Sequence, residues 1–227
     1  MEKKAIVLLS GGIDSTTTMA IAREEGYKTY CLTFNYGQRH IIEVEKAKTI
    51  GIKMGCEEHI IINLDIDKIG GSALTSEKIP VPKDMFYNQR EKFIPVTYVP
   101  ARNTIFLSVA LGWAEVIRTD TIFIGANILD YSGYPDCRPE YLNAFENMAN
   151  LATRESVEGR IRFKIRSPLI TLTKGEIIKR GISLGIDYSL THSCYDPQEN
   201  GRPCKRCDSC LIRKKGFEEA GITLSSE

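Results

Sequence analysis

Runs of consecutive apolar residues alternate along the first half of the chain with stretches whose apolar positions recur every three or four residues. The first run, residues 5–9 (Ala5-Ile6-Val7-Leu8-Leu9), has no polar position and suits a strand covered on both faces of a sheet. It ends at a glycine pair, and residues 16–25 then keep a helical period until Gly26. Residues 30–34 predict a second strand, 43–54 a second helix with Gly51 and Gly55 near its end, and 59–64 a third strand. Strands that alternate with helices point to parallel pairing, because parallel neighbours need a crossover between them. Residues 65–100 are rich in Gly, Ser and Pro and follow neither period. They predict a long irregular excursion over the sheet, of the kind that often serves as a lid or an interface.

Order returns at 103–117, an apolar-striped helix, followed by a fourth strand at 121–124. A polar loop at 125–138 leaves that strand, and 141–152 predicts a helix and 162–165 a short strand. Thr173 and Glu176 have the spacing of a capping box and open a helix that runs through 179–184. The expected fold is α/β: a doubly wound, mostly parallel, Rossmann-like sheet. It occupies residues 1–185, with the irregular insertion at 65–100, and a cysteine-bearing segment at 186–227 packs on it.

Composition narrows the function classes. Lys plus Arg (30) nearly cancels Asp plus Glu (29) over 227 residues, which argues against a nucleic-acid partner, since binding a phosphate backbone needs clustered positive charge. No run is long and apolar enough to span a membrane. The apolar start stops at Ser10-Gly11-Gly12, too soon for a secretory core, so a cytoplasmic location is expected.

Seven cysteines are many for such a chain. Cys31, Cys56 and Cys137 stand alone, but Cys194, Cys204, Cys207 and Cys210 fall within seventeen residues. In a reducing compartment such a cluster more often binds metal than forms disulfides. Four thiolates suit a closed tetrahedral zinc site that stabilises structure. The rival is an iron–sulfur cluster, whose bacterial run continues with another cysteine where this chain has Lys214. The spacing favours zinc without settling the metal.

Ser10-Gly11-Gly12-Ile13-Asp14-Ser15 lies where an α/β protein binds phosphate, after the first strand and at the mouth of the first helix. Paired glycines let an anion approach the peptide N–H groups, and the helix terminus adds partial positive charge. The Ser10 and Ser15 hydroxyls can donate to phosphate oxygens. Asp14 can cap the helix or help hold a magnesium ion. Neither the Gly-Lys-Ser/Thr loop nor the Gly-x-Gly-x-x-Gly turn is present. The six residues resemble the pyrophosphatase loop of the N-type ATP pyrophosphatase superfamily, which implies ATP cleaved between its α- and β-phosphates.

Further motifs narrow the resemblance. Tyr36-Gly37-Gln38-Arg39-His40, Pro100-Ala101-Arg102-Asn103, Gly125-Ala126-Asn127, the run from Asp130 through Arg138, and Thr191-His192-Ser193-Cys194-Tyr195 together resemble the 7-cyano-7-deazaguanine synthase family of the queuosine pathway. The resemblance implies a ligase that turns 7-carboxy-7-deazaguanine and ammonia into the nitrile, consuming ATP to AMP and pyrophosphate by adenylating first a carboxylate and then an amide. It also implies a homodimer and one structural zinc per chain. Carried onto this chain, the ATP-binding stretch is Leu8, Leu9, Ser10, Gly11, Gly12, Ile13, Asp14, Ser15, Thr16, Thr17 and Thr18. Preorganised N–H groups and cations suffice for such chemistry, with no covalent nucleophile.

Individual roles follow from position. Thr33 and Phe34, at the end of the second strand, are placed to meet adenosine; a core aromatic would look the same as Phe34. Arg102 precedes one helix and Lys174 opens another, where a cation opposes the helix dipole, which hints that both face phosphate as catalytic cations beside Asp14. A solvated charge accounts equally for each alone. Lys174-Gly175-Glu176-Ile177 also resembles a superfamily segment. Asp130, Tyr131, Tyr134, Asp136 and Arg138 offer stacking, carboxylate acceptors and a guanidinium for the deazapurine acid. His40 and His192 are candidate proton carriers, and Cys137 reads as a small loop residue. The rivals are a tRNA sulfur-transferase, which needs a basic face and a reactive cysteine pair, an amide-forming ammonia ligase, and a non-catalytic nucleotide or RNA sensor.

Overall fold

The computed structural model describes residues 2–39, 41–84, 94–129 and 133–223. Its strands β1 (Lys4–Leu8), β2 (Lys28–Asn35), β3 (Glu58–Asn63), β4 (Thr121–Phe123) and β5 (Lys164–Arg166) form one sheet. The order is β3-β2-β1-β4-β5 and every pairing is parallel. Helices α1 (Ile13–Glu24), α2 (Ile42–Lys53), α3 (Arg102–Ile117), α4 (Pro139–Ala152), α5 (Arg154–Val157), α6 (Lys174–Ser183) and α7 (Asp208–Ala220) surround it. Among the described residues no helix is long and apolar enough to cross a membrane.

The all-apolar first run is explained by two-sided burial. Ile6 and Leu8 join a core with Leu32, Ile122 and, from α3, Leu107 and Ala110. Ala5, Val7 and Leu9 face the other way, against Met19 and Ala22 of α1 and Ala47 and Ile50 of α2. Alternate side chains of a strand point to opposite faces, so a strand sandwiched between helix layers has no place for a polar residue.

From β1 the chain winds outward through β2 and β3, and β4 then pairs on the other side of β1. That reversal leaves a crevice beyond the carboxyl ends of β1 and β4, where open α/β sheets place their ligands. Gly125, just past β4, comes close to α1: a Cβ there would stand 3.0 Å from the Asp14 carbonyl carbon and the Ser15 nitrogen.

A third core joins α1, α6 and α7 through Ile13, Ile21, Ile177, Ile178, Tyr188 and Phe217. Helix α7 is not foreseen by the periodicity, and neither is the short α5. The helices foreseen at 16–25 and 141–152 begin earlier. Helix α1 starts at Ile13, which puts Asp14 and Ser15 in its first turn, and α4 starts at Pro139, whose fixed φ suits a first helical position. The capping box opens α6: the Thr173 side chain accepts from the Glu176 N–H and the Glu176 carboxylate accepts from the Thr173 N–H.

The described part of the excursion after β3 holds one helical turn, Ile66–Lys68, and then runs to the cysteine segment. Ala73 and Val81 pack with Cys194, Cys207 and Cys210. Lys83 bridges to Cys207 and the Asp84 N–H donates to the Arg206 carbonyl at 2.8 Å. Residues 73–84 of the excursion thus clamp the C-terminal segment.

Candidate active site

The turn between β1 and α1 is closed by its own side chains. The Ser10 N–H donates to Ser15 Oγ at 3.1 Å, the two serine hydroxyls lie 3.0 Å apart, and the Gly12 N–H reaches Ser10 Oγ at 3.4 Å. Gly11 has φ +81°, a left-handed conformation open to glycine. A Cβ there would also sit 2.5 Å from the Glu43 carbonyl oxygen and 2.8 Å from the Ala47 nitrogen, so α2 rests directly on the loop. The far side is fixed by the His192 N–H, which donates to the Gly11 carbonyl at 3.0 Å.

A cavity of about 250 Å³ opens beside this turn. Leu8, Leu9, Ser10, Gly12, Ile13, Asp14 and Ser15 line one wall, and Thr33 and Phe34 at the end of β2 line another. Arg102, Tyr134, Lys174 and His192 complete it. Residues distant in sequence are gathered here by the carboxyl ends of the strands and the starts of α1, α3 and α6. Lys174 Nζ donates to Asp14 Oδ1 at 2.5 Å, and both side chains are largely shielded from bulk water, 9% and 24% exposed. Such an ion pair is held by attraction that falls as solvent enters.

Four expected ATP-binding residues stand apart from the wall. Gly11 packs under α2, and Thr16, Thr17 and Thr18 continue α1 as buried residues. The Thr16 hydroxyl donates to the Gly12 carbonyl at 2.7 Å, and the Thr17 hydroxyl, 2.6 Å from Tyr188 Oη, ties α1 to the segment after α6. These residues hold the loop from behind.

Thr33 donates its hydroxyl to the Leu9 carbonyl at 2.5 Å and lies 2.7 Å from His59 Nε2. Phe34 stacks on Phe106 with centroids 3.9 Å apart and planes 5° from parallel, so it is at once a core ring and part of the wall. Arg102 lies against the Tyr36 ring, 5.9 Å from its centroid.

The loop after β4 is divided. Asp130 and Tyr131 fall outside the described residues, as does His40 after β2. Tyr134 is buried, with its hydroxyl 2.8 Å from that of Thr97. Asp136 is turned to structure: its Oδ2 accepts the N–H of Asn103 in the first turn of α3 at 3.0 Å. Arg138 is exposed at the N-terminus of α4 and does not line the cavity. Helix starts need carboxylate acceptors as ligands do, and sequence spacing does not separate the two uses. Burial pushes the Cys137 thiol up to about 11, so it stays protonated near neutrality, as a structural cysteine does.

Several wall residues carry no role in the sequence reading. Tyr36, Gln38 and Arg39 belong to a motif quoted above, which was the available signal. Gln38 Oε1 accepts the Tyr36 N–H at 2.7 Å, and Arg39 Nη2 donates to the carbonyls of Ser76 and Ile79 at 2.7 and 2.6 Å. Asn127 Nδ2 donates to the carbonyls of Leu169 and Leu172 at 2.8 and 2.6 Å, which fastens the β4 loop to the approach of α6. Glu43, Phe106, Tyr195 and Arg213 reach the wall from elements distant in sequence.

Cys194, Cys204, Cys207 and Cys210 bring their sulfurs within 4.8 Å of one another, and the four could hold a metal ion. A tetrahedral ion with sulfur ligands at ~2.3 Å needs sulfurs about 3.8 Å apart, and Cys194 and Cys207 stand at 4.0 Å. Backbone N–H groups already face the sulfurs: Cys204 N–H donates to Cys194 Sγ at 3.2 Å and Cys207 N–H to Cys204 Sγ at 3.3 Å. Cys207 caps α7 and Cys210 lies in its first turn, where the helix dipole favours thiolates. Ser193, Cys194 and Tyr195 also line the cavity, so this cluster anchors one of its walls.

The queuosine biosynthesis protein QueC family matches residues 4–221. A 7-cyano-7-deazaguanine synthase of Syntrophobacter fumaroxidans is 63% identical over 220 residues, covering 97% of this chain and 94% of that protein. One of Syntrophus aciditrophicus is 60% identical over 221 residues, covering 97% and 95%. Among solved structures, NMN synthetase from Francisella tularensis superposes with a TM-score of 0.51 at 14% identity, covering 99% of this chain and 79% of that one. A 4-thiouridine synthetase, solved with RNA and bound ATP, superposes with a TM-score of 0.50 at 23% identity, covering 96% and 50%. These two likenesses are of fold alone.

Proposed function

The chain belongs to the queuosine biosynthesis protein QueC family, and on that premise we propose how its cavity makes 7-cyano-7-deazaguanine from 7-carboxy-7-deazaguanine, ammonia and ATP. A carboxylate conjugated to the deazapurine ring is a poor electrophile. Its oxygen attacks the α-phosphate of ATP and pyrophosphate leaves, giving an acyl-adenylate. Ammonia displaces AMP to give the amide. The amide oxygen then attacks a second ATP, and loss of AMP with the N–H protons leaves the nitrile.

Both adenylations need neutralisation of charge on the α-phosphate and departing pyrophosphate. The Ser10–Ser15 turn supplies N–H groups, hydroxyls and a helix terminus, with Lys174 and Arg102 as catalytic cations. Thr33 and Phe34 take the adenosine side, and Tyr134 with Asp130 and Tyr131 the deazapurine side. Asp136 serves this side by fixing the start of α3, and Arg138 is the weakest member of the set because it lies outside the wall. Magnesium accompanying ATP would be held by Asp14, and it supplies charge neutralisation at the phosphates. Cys194, Cys204, Cys207 and Cys210 would hold one zinc, with a structural role. The chain works as a cytoplasmic homodimer on small molecules, without nucleic acid.

The observation that carries this reading is the convergence of Ser10, Asp14, Arg102 and Lys174 on one cavity in a chain of this family. The test is mass-spectrometric product analysis with ATP, ammonium and the acid. AMP, pyrophosphate and nitrile should appear with the wild type and be lost in Ser10→Ala/Asp14→Ala. Wild-type turnover by the double variant would refute the loop assignment.

A further inference from the structure

The reaction proposed above moves protons off nitrogen, and the one carboxylate of the phosphate loop, Asp14, is already engaged by Lys174. Near neutral pH ammonia in water is mostly ammonium, which has no electron pair with which to attack. A carboxylate in the cavity would be repelled by a triphosphate unless it were protonated or faced a cation, and ammonium is the cation this reaction brings.

Glu43 fits that need. It sits in the first turn of α2, which presses on Gly11 closely enough that a Cβ there would meet the Glu43 carbonyl oxygen at 2.5 Å. Its side chain lines the same cavity as Ser10, Asp14, Arg102 and Lys174. Burial raises its carboxyl to about 7, and the Arg102 charge acts against that rise without cancelling it. A group poised near the working pH both accepts and returns protons efficiently. Among the described residues, the other ionisable groups facing this space are Asp14 of α1, Tyr36 and Arg39 after β2, Arg102 of α3, Tyr134 and Cys137 after β4, Lys174 of α6, His192, Cys194 and Tyr195 before α7, and Arg213 of α7.

We propose that the Glu43 carboxylate takes a proton from ammonium beside the acyl-adenylate, releasing ammonia to attack it. Glu43 takes one proton from bound ammonium, which frees the lone pair. That pair forms the C–N bond, the C–O bond to AMP breaks with its electron pair leaving on AMP, and the second proton lost from nitrogen goes to the departing AMP phosphate or to water. Because this step rests on the adenylation reading, the test separates the two. Glu43→Gln keeps the shape of the side chain and removes its basicity. Hydroxylamine, unprotonated at pH 7, needs no base to attack and traps the acyl-adenylate as a hydroxamate.

The expected result for Glu43→Gln is hydroxamate formation within a few-fold of wild type. Ammonium-dependent turnover at pH 7 should fall about 100-fold or more, and the gap should narrow as pH rises toward 9. Wild-type use of ammonium at pH 7 by Glu43→Gln would overturn the assignment. So would loss of hydroxamate formation together with amide formation in a variant whose melting shows it folded, which would move Glu43 to the adenylation step. Wild-type protein that forms no hydroxamate from the acid would overturn the adenylation reading itself, and this inference with it.

Discussion

Lys174, the first residue of α6, holds the carboxylate of Asp14 in the first turn of α1 at 2.5 Å, across 160 positions of sequence. Each placement alone is locally awkward or neutral: a lysine at a helix start opposes the dipole, and an aspartate there is an ordinary favourable anion. Together they make a charged pair at the edge of the cavity. On the proposed function, an arriving triphosphate would compete with Asp14 for the lysine.

Lys174→Met is therefore expected to lower the rate of acid-dependent AMP formation by about 100- to 1,000-fold, the usual loss when one preorganised charge is removed. Asp14→Asn should lower it as well. Because the two share one interaction, the double variant should fall short of the product of the single losses. Steady-state kinetics on the four proteins measures the coupling. Strictly multiplicative losses would show that the pair does not act as a unit.

Gly216 offers a second route to the same lysine. A Cβ at this position of α7 would stand 2.3 Å from Lys174 Cγ. Gly216→Ala should displace the lysine stem and depress activity at least tenfold while the protein stays folded. Gly112, exposed on α3 with no atom within 4 Å of its Cβ position, is the control. Gly112→Ala should leave activity unchanged and raise stability by up to about 1 kcal/mol. Equal activities for the two variants would contradict the crowding.

Glu43 also leaves a mark on stability. Its carboxyl is raised in the folded chain to about 7, against roughly 4.3 when unfolded. Between those values the folded protein binds the extra proton, so this group makes stability fall as pH rises through the window. Glu43→Gln removes that slope. Its melting temperature should match wild type near pH 4.5 and exceed it by a few degrees at pH 8. A difference that does not change with pH would contradict the raised carboxyl.

The cysteine segment should prove a structural staple. Elemental analysis should find one zinc per chain, and Cys207→Ser should lose it and lower the melting temperature by about 10 °C or more, because metal-binding energy is folding energy at such sites. Full stability after metal removal would refute the role.

The fold was legible wherever burial dictated composition. Residues 5–9 carry no polar position because β1 is covered on both faces, and Thr173 with Glu176 announced α6 through their reciprocal bonds. Helix α7 was not legible. Its sequence, Asp208 to Ala220, is dense in Lys, Arg and Glu with Gly216 inside, and its seat depends on glycine contacts with α6 that no period encodes. The candidate site was legible in so far as the loop, Arg102 and Lys174 meet at one cavity, since Gly11, Gly12 and Lys174 are unusual choices locally. Asp136 and Glu43 were not separable by sequence. One carboxylate caps a helix and the other lines the cavity, and only the packing of α3 and α2 distinguishes them.

The central claim is that carboxylate and amide oxygens are transferred to AMP, and labelled oxygen tests it most directly. The acid carrying ¹⁸O in both carboxylate positions is incubated with ATP, ammonium and the protein, and the AMP is weighed by mass spectrometry. The account predicts two AMP per nitrile, each with one ¹⁸O in its phosphate. Nitrile formed alongside unlabelled AMP would contradict it.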